Sequence, residues 1–289
     1  MRLRDVLKDK LTSEELRAVP SSFDIIGSRE GAIAIVEIPE ELEHRKTLIA
    51  EAIMRIHKNV VAVYRKASPR EGAFRVRKHE LLAGEPVTEV IHKEHGCLFK
   101  LDPTKVYFSP REATERLRVA SQVSPEEFIM LMFAGVCPFG IVIAKKQPLV
   151  SRIVAIEINP VAYSYMVENI RLNKVEDKII PVLGDVREKA CRWYGACDRV
   201  IMPLPKGAYL FLDEAVKCLK PSGGVINFYY WSREDNLYGE AIRLVEAAAA
   251  RYGFRIKVLG KRKVSPYAPR VYKVAVDFLL TKPTGKIQP

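Results

Sequence analysis

The 289-residue chain carries 47 lysines and arginines against 35 acidic residues, which gives a formal net charge of +12. Its composition, 48% hydrophobic and 28% charged, excludes a disordered chain and is typical of a folded globular protein. No apolar run approaches the roughly 18–20 residues that cross a bilayer, and the first residues lack the apolar stretch of a signal peptide. We expect a cytoplasmic protein without a membrane partner, whose excess positive charge favours a polyanion such as nucleic acid.

Cysteine spacing gives no sign of a metal centre. No two cysteines form a C-x-x-C pair, and no cysteine and histidine array has metal-ligand spacing. We therefore expect reduced, mostly buried thiols and no bound metal at the five cysteines, which are Cys97, Cys137, Cys191, Cys197 and Cys218.

The first third of the chain mixes strands with helices that pack on them. Apolar periodicity predicts a short amphipathic helical segment over residues 1–20 and a helix over residues 40–57. Strands are predicted over residues 23–27, 31–39, 60–64, 74–77, 87–92 and 97–106. The pattern indicates a small α+β domain over residues 1–106.

The remainder alternates helix and strand, the pattern of a mostly parallel, doubly wound sheet. Helices are predicted from about residue 111 and over residues 141–146, 160–172, 210–219 and 236–252. Strands are predicted over residues 128–133, 151–158, 179–183, 199–202, 224–230, 254–259 and 272–280. The predicted fold class is therefore α/β, with a Rossmann-like domain over residues 107–289 and the smaller α+β domain before it.

Three features at the ends of successive strands of this domain predict a cofactor site. A small-residue turn over residues 133–139 follows the first strand. Glu157, about 20 residues beyond the turn and at the end of the second strand, is placed to hold both hydroxyls of a ribose. Asp185 follows the third strand, where an acid lies near an adenine amino group. The order is typical of S-adenosylmethionine-dependent methyltransferases, whereas a dinucleotide dehydrogenase would have a fuller G-x-G-x-x-G. The candidate cofactor residues in these three segments are Phe133, Gly135, Val136, Glu157, Asn159, Asp185 and Val186.

The chain from about residue 20 onward resembles the archaeal and eukaryotic family of tRNA guanosine-37 N1-methyltransferases. The block Phe-Ser-Pro-Arg-x-x-Thr-Glu-Arg at residues 108–116 is the most specific match. Further matching segments are residues 74–77, 82–85, 169–173, 184–188 and 265–270. The resemblance implies a class I methyltransferase domain, S-adenosylmethionine as cofactor, the tRNA anticodon stem-loop as partner and a monomeric enzyme. Family members often carry an extra N-terminal domain that grips the outer corner of tRNA, and we expect this chain to lack it.

Methylation of guanine at N1 sets clear chemical demands. The nitrogen carries a proton at neutral pH, so the reaction needs a base for that proton and a cation beside O6, where negative charge develops. The resemblance implies that Glu115 is the base and that Arg75 stabilises O6. The competing interpretations are a helix-start acid favoured by the helix dipole for Glu115 and a solvated strand arginine for Arg75.

The resemblance also implies the residues that hold the two substrates. It places Arg111 and Pro203 at the cofactor, and Tyr107, Arg116 and Pro205 at the RNA. The target base must be turned out of the anticodon-loop stack to reach the methyl group. The aromatic run at residues 228–231 offers stacking faces for a base, although strand core is the favoured interpretation of that run.

Three positions depart from the family pattern. Cys137 replaces a glycine at the turn, adding a Cβ and a sulfur where close approach of the cofactor is expected. Leu131 replaces an acid expected near the methionine amino group. Pro203 replaces an asparagine, whose amide would hydrogen-bond the target base, and a prolyl ring has no donor. The changes indicate either weakened activity or a pocket retuned to a modified guanosine.

Two alternatives to guanosine-37 methylation stay open on the sequence. One is an aminocarboxypropyl transferase of wyosine biosynthesis, which uses the same cofactor, and Arg111 argues against it in favour of methyl transfer. The other is a tRNA-binding paralogue with impaired catalysis. A wyosine-pathway derivative at position 37 is also open as the methyl acceptor.

Overall fold

A computed structural model describes residues 2–68, 72, 74 and 77–283. The chain divides into two compact units, Met1–Ala113 and Thr114–Pro289. The sequence-based boundary lies between residues 106 and 107, whereas the contacts place residues 107–113 in the first unit. Within the described residues, no helix has the length and apolar character needed to span a bilayer.

The first unit is an α+β unit, in agreement with the sequence. Its helices are α1 (Leu3–Leu7), α2 (Ser13–Ala18) and α3 (Lys46–Ile56). Its strands are β1 (Asp24–Gly27), β2 (Ala32–Val36), β3 (Val60–Lys66), β4 (His79–Gly84), β5 (Val90–Glu94) and β6 (Cys97–Leu101). Four strands form a sheet in the order β1-β2-β3-β4, and β5 pairs with β6 as an antiparallel hairpin. Helix α3 buries Ile49 and Ile53 in the same apolar core as the alternating side chains of β2.

Several predicted elements of the first unit are wrong in extent, and strand β4 was not predicted. Residues 1–20 form two helices: α1 ends at Leu7, and Thr12 caps α2. The Thr12 side chain accepts the N–H of Glu15, whose carboxylate accepts the N–H of Thr12. The strand predicted over residues 97–106 ends at Leu101, since Asp102 accepts the N–H of Thr104 at 2.9 Å and turns the chain. The strand predicted over residues 74–77 lies largely outside the described residues.

The second unit is a Rossmann-like α/β unit, which confirms the predicted fold class. Its helices are α4 (Ala113–Ala120), α5 (Pro138–Lys146), α6 (Pro160–Leu172), α7 (Val186–Lys189), α8 (Leu212–Cys218) and α9 (Gly239–Arg251). Its strands are β7 (Phe128–Met132), β8 (Arg152–Glu157), β9 (Ile179–Leu183), β10 (Arg199–Met202), β11 (Gly223–Arg233), β12 (Arg255–Ala268) and β13 (Val271–Thr281).

Strand order in the second unit creates a crevice. The seven strands lie in the order β12-β13-β11-β10-β7-β8-β9, and the five from β11 to β9 are parallel. The chain runs outward from β7 through β8 to β9 and then crosses to β10 on the other side of β7. In an open α/β sheet, ligands bind beside such a reversal, at the carboxyl ends of the strands.

Helix α5 and strand β12 are among the elements of the second unit that differ from the predicted bounds, and helix α7 was not predicted. Helix α5 begins at Pro138 rather than at residue 141, because proline fits the first helical turn, where its missing N–H is not needed. Strand β12 continues to Ala268, beyond the predicted end at residue 259. It follows β13 along this whole length through three register shifts, the first at Val258/Gly260.

Candidate cofactor and substrate site

The turn after β7 is built from left-handed backbone. Phe133, Gly135 and Cys137 have φ values of 57°, 58° and 68°, a region in which non-glycine residues are uncommon. The N–H of Ala134 donates to the carbonyl of Ile156 at 2.9 Å, which holds the turn against the neighbouring strand β8. The fold thereby brings Phe133, Gly135 and Val136, all predicted cofactor residues, to the crevice at the carboxyl ends of β7 and β8.

Glu157 ends β8 and closes the other side of this turn. Its Oε2 accepts the N–H of Gly135 at 2.7 Å, and its Oε1 accepts the N–H of Asn159 at 2.8 Å. A carboxylate has about four lone-pair sites, so these two hydrogen bonds do not exhaust its capacity to accept. Burial raises the pKa of Glu157, although the N–H donors of Asn159 and Gly135 oppose the rise.

Asn159 and Asp185 act first as helix caps. The side chain of Asn159 accepts the N–H of Val161 at 3.0 Å at the start of α6. That of Asp185 accepts the N–H of Arg187 at 2.8 Å at the start of α7. The Asp185 carboxylate accepts one cap hydrogen bond, so capping and ligand binding are compatible at this residue. Val186, the other predicted cofactor residue of this segment, is buried in the core.

An aromatic surface lies beside these caps. The rings of Phe133 and Phe211 meet edge to face with centroids 4.9 Å apart, and the guanidinium of Arg187 lies 4.2 Å above the Phe211 ring. Phe211 was missed as a site residue, because its place near the start of the helix predicted over residues 210–219 gave no sign of the contact with Phe133. The two rings and the Arg187 guanidinium therefore form one contiguous cluster.

Cys137 and Leu131 both lie in the core of the second unit. The Cys137 sulfur lies 2.6 Å from where a Cβ on Gly140 would stand. A Leu131 methyl lies 3.4 Å from the same point, and both side chains are fully buried. Burial raises the pKa of Cys137 to about 12, with the N–H groups of Gly140 and Ile141 opposing the rise. The two departures are therefore changes in the packing under α5.

Pro203 keeps one polar contact through its backbone. The buried ammonium of Lys273 donates to the Pro203 carbonyl at 3.3 Å and lies 4.8 Å from the centre of the Tyr229 ring. Pro203 is half-buried and Pro205 is buried at the end of β10. Lys273 belongs to β13 and was missed from the sequence, where a lone lysine in an apolar strand was its only signal.

Glu115 is buried among polar partners rather than exposed at a helix start. It is 1% exposed, and it pairs with Arg118, one turn along α4, at 2.7 Å. The Tyr229 hydroxyl donates to it at 2.6 Å, and Arg262 lies 3.5 Å from it. Helix-dipole stabilisation alone leaves this set unexplained, because three side chains from different elements converge on one carboxylate. None of the three was predicted as a site residue.

The other predicted residues fall in separate places. Arg111 pairs with Asp24 at 2.5 Å, and the Tyr107 hydroxyl donates to Glu112 at 2.9 Å, both within the first unit. Arg116 is buried in the second unit. Arg75 lies outside the described residues. The ligand roles of Arg75, Tyr107, Arg111 and Arg116 stay predictions.

The aromatic run in β11 is mainly core, as the sequence favoured. Phe228 and Tyr229 are fully buried. Trp231, further along the strand, is half-buried and has its ring 4.2 Å from that of Tyr267 in β12. Tyr229 nevertheless has a second role, because its hydroxyl reaches Glu115 while its ring packs against Phe139 at 6.0 Å.

A doubly wound sheet with an acid after β8, a left-handed turn after β7 and a capping acid after β9 defines a class I methyltransferase unit. Comparison with known families agrees. The TRM5/TYW2 methyltransferase domain matches residues 90–259, and the TYW2 N-terminal domain matches residues 3–88. The chain belongs to the TRM5/TYW2 methyltransferase family, which confirms the resemblance.

Individual relatives come from both branches of this family. The chain is 48% identical to the tRNA (guanine(37)-N(1))-methyltransferase Trm5b of Pyrococcus abyssi over 92% of its length and 77% of the relative. It is 36% identical to a tRNA(Phe) (4-demethylwyosine(37)-C(7)) aminocarboxypropyltransferase of Methanocaldococcus jannaschii, over 84% of this chain and 94% of the relative. A structure of M. jannaschii TYW2 in complex with AdoMet has a TM-score of 0.69 and 31% identity, covering 91% of this chain and all of that one.

The raised pKa of Glu157 predicts how cofactor binding depends on pH. We expect the ionised carboxylate to be the form that accepts two ribose hydroxyls. A raised pKa means that protonation begins above the ordinary glutamate value of about 4.3, so affinity for S-adenosylmethionine falls as the pH falls towards that value. Calorimetric titration from pH 8 to pH 5 measures this. Glu157→Gln should weaken binding by about 1–3 kcal/mol at pH 8 and make it insensitive to pH. A wild-type affinity that stays constant to pH 5 would contradict the assignment.

The packing of Leu131 predicts the cost of restoring the family acid. Leu131→Asp places a carboxylate in the core under α5, and we expect the free energy of unfolding at pH 7 to fall by about 3–5 kcal/mol. Leu131→Asn is the matched uncharged control and should cost less. Cys137→Gly should be nearly neutral, because glycine relaxes the positive φ while the lost sulfur leaves a gap. Urea unfolding of the three variants measures these differences. Equal losses of unfolding free energy in Leu131→Asp and Leu131→Asn would show that the introduced carboxylate is solvated.

Proposed function

We propose that the chain transfers a methyl group from S-adenosylmethionine to N1 of guanosine-37 in tRNA. The observation that carries the proposal is the buried carboxylate of Glu115 with its converging donors, in a chain 48% identical to a methyltransferase of that specificity. In this proposal one copy of the chain acts in the cytoplasm on the anticodon stem-loop. The first domain, over residues 1–106, faces the RNA, and residues 107–289 carry the catalytic machinery.

The cofactor fits the residues at the crevice. Glu157 would accept the ribose hydroxyls, Asp185 would receive the adenine amino group, and the Phe133 and Phe211 rings would provide its flat contact. When bound, S-adenosylmethionine supplies an electrophilic methyl group. Gly135 has no side chain to obstruct the approach of the cofactor to the turn, and its N–H is already committed to Glu157.

The chemistry assigned to the chain's own residues is proton removal and charge stabilisation. Glu115 takes the N1 proton, so that the nitrogen lone pair is free to attack. We assign Arg75 to the developing charge on O6 from the family resemblance. Tyr107, Arg116 and Pro205 are proposed to hold the base and its neighbours, and Arg111 and Pro203 to border the cofactor.

The aminocarboxypropyl alternative has one specific observation in its favour, the match of residues 3–88 to the TYW2 N-terminal domain. Against it, identity to the aminocarboxypropyltransferase is 36%, whereas identity to the N1-methyltransferase is 48%. A tRNA-binding paralogue without catalysis is disfavoured because the contacts of Glu157 and Glu115 are in place. Methyl transfer to guanosine is therefore the function that we propose.

Nucleoside mass spectrometry tests the reaction directly. Incubation of the protein and S-adenosylmethionine with unmodified tRNA should yield 1-methylguanosine, and a tRNA with adenosine at position 37 should yield no product. Glu115→Gln should lower the rate by about 10²–10⁴-fold, the usual range for removal of a general base. Glu246→Gln, the same change on the exposed face of α9, is the control and should leave the rate unchanged. Absence of 1-methylguanosine, or transfer only to a wyosine precursor, would contradict the proposal.

The charge excess predicts that tRNA binding depends steeply on salt. Neutralised phosphates release counterions, so log K should fall linearly with log salt concentration. Filter binding or fluorescence anisotropy between about 50 and 200 mM salt should show a loss of affinity of tenfold or more if several phosphates are contacted. Binding of S-adenosylmethionine, measured in the same buffers, should change little. If the affinity for tRNA also changed little with salt concentration, binding through several phosphate contacts would be excluded.

A further inference from the structure

The carboxylate of Glu115 belongs to a buried polar group that we call the Glu115 cluster. It consists of Glu115, Arg118, Tyr229, Arg262 and Asp277. The members come from α4, β11, β12 and β13; three of these elements reach the Glu115 carboxylate, and β13 reaches it through Arg118. The cluster has an inner, fully buried part and one partner that reaches solvent.

The two oxygens of Glu115 have different surroundings. Oε1 accepts hydrogen bonds from the Tyr229 hydroxyl at 2.6 Å and from Arg118 Nη2 at 2.7 Å, which uses both of its lone pairs. Oε2 accepts one firm hydrogen bond, from Arg118 Nε at 2.9 Å. Its other neighbour is Arg262 Nε at 3.5 Å, too long for a good hydrogen bond. Oε2 is therefore the oxygen with room for a proton.

Arg118 is itself held in place by a second carboxylate, that of Asp277. Its Nη1 and Nη2 donate to Asp277, and Asp277 in turn accepts from Gln122 at 2.8 Å and from Asn227 at 2.6 Å. Burial opposes the charge on both members of the pair, but their hydrogen bonds outweigh it, lowering the pKa of Asp277 and raising that of Arg118. A guanidinium held by two carboxylates has one orientation available, so it presents the same face to Glu115 at all times.

Tyr229 and Arg262 differ in freedom. Tyr229 is fully buried between Phe139 and Lys273, and burial followed by the charge on Glu115 raises its pKa. Its hydroxyl therefore stays a donor. The side chain of Arg262 is 48% exposed and makes only its long contact with Glu115 among the described ion pairs. Of the cluster, Arg262 is the member that can leave without exposing a buried charge.

We propose that Arg118 and Tyr229 are positioning residues that fix Glu115 with Oε2 as the proton-accepting atom, and that Arg262 occupies this oxygen in the free enzyme and leaves it when guanine arrives. The inference rests on the proposed function. In the step, the N1–H bond breaks and the proton forms a bond to Oε2. The electron pair left on N1 bonds the methyl carbon, and the pair of the methyl–sulfur bond stays on sulfur.

Displacement of Arg262 changes the charge around the base. While Arg262 faces Oε2, the Glu115 carboxylate lies between two guanidinium groups. Once Arg262 leaves, the Arg118 guanidinium is the one that remains. The charged and titratable groups that face Glu115 are Arg118 on its own helix, Tyr229 from β11 and Arg262 from β12. Behind them, Asp277 of β13 contacts Arg118, and Lys273 of β13 contacts Tyr229.

Single-turnover methylation of tRNA, measured against pH, tests the inference. At saturating enzyme the rate constant reports the complex, and its ratio to the half-saturation concentration reports the free enzyme. Tyr229→Phe should lower the saturating rate constant by about tenfold at pH 7, without changing the half-saturation concentration. It should also shift the acidic limb of both profiles to higher pH, because a donor to the ionised carboxylate is lost. Calorimetric binding of S-adenosylmethionine checks that this isosteric variant remains folded.

Arg262→Ala should behave differently. In the pH profile of the ratio of rate constant to half-saturation concentration, the acidic limb should shift to higher pH. In the pH profile of the saturating rate constant, the acidic limb should stay in place, since Arg262 has already left in the complex. Arg255→Ala, on the same strand and exposed, is the matched control and should move neither limb. Equal shifts of both limbs in Arg262→Ala would overturn the displacement.

Two further results separate the inference from the proposed function. A wild-type protein that methylates guanosine-37, together with a Tyr229→Phe variant of unchanged rate and profile, would overturn the positioning role and leave the proposed function standing. A wild-type protein with no methyl transfer would overturn the proposed function and this inference with it. The double variant Arg118→Lys/Asp277→Glu gives a third test. A saturating rate constant equal to that of the wild type would also overturn the inference, because a lysine cannot reproduce the two-point contact of Arg118.

Discussion

The ion pair between Arg118 and Asp277 is the interaction on which the second unit depends most. It joins the first helix of the unit to the strand that lies between β11 and β12. Two buried charges are costly unless each is paired and hydrogen-bonded, and here Gln122 and Asn227 complete the set for Asp277. The pair fixes where α4 lies against the sheet, and with it the place of Glu115.

A second carboxylate, Glu157, organises the opposite side of the crevice by another means. It has no cationic partner among the described side chains and is held by backbone N–H groups from the turn after β7 and from the start of α6. Glu115 is thus set by side chains that converge from distant strands, whereas Glu157 is set by its own strand end and the adjacent turn. The reversal of strand order between β7 and β10 is what brings two such differently made sites to one edge of the sheet.

The local parts of this arrangement were visible in the sequence and the distant ones were not. The strand alternation, the turn at Gly135 and the acid at Glu157 follow from short-range patterns. Arg118 and Asp277 are 159 residues apart, and no periodicity connects them. The only signal for Asp277 was an acid in a largely apolar strand, which also carries Lys273. The inward direction of the Cys137 sulfur was equally hidden, since it follows from a left-handed backbone that the residue type disfavours.

The position of β13 also bears on how the protein is made. This strand carries Asp277 and lies inside the sheet between β11 and β12, while its partner helix α4 precedes all other strands of the unit. During synthesis the helix leaves the ribosome long before the strand does, and closing so large a loop is slow. Until then Arg118 lacks Asp277 as a partner, and Glu115 is not held in place. Nascent chains that lack β13 are thus expected to have no organised catalytic carboxylate, which postpones the chemistry until the whole sheet is available.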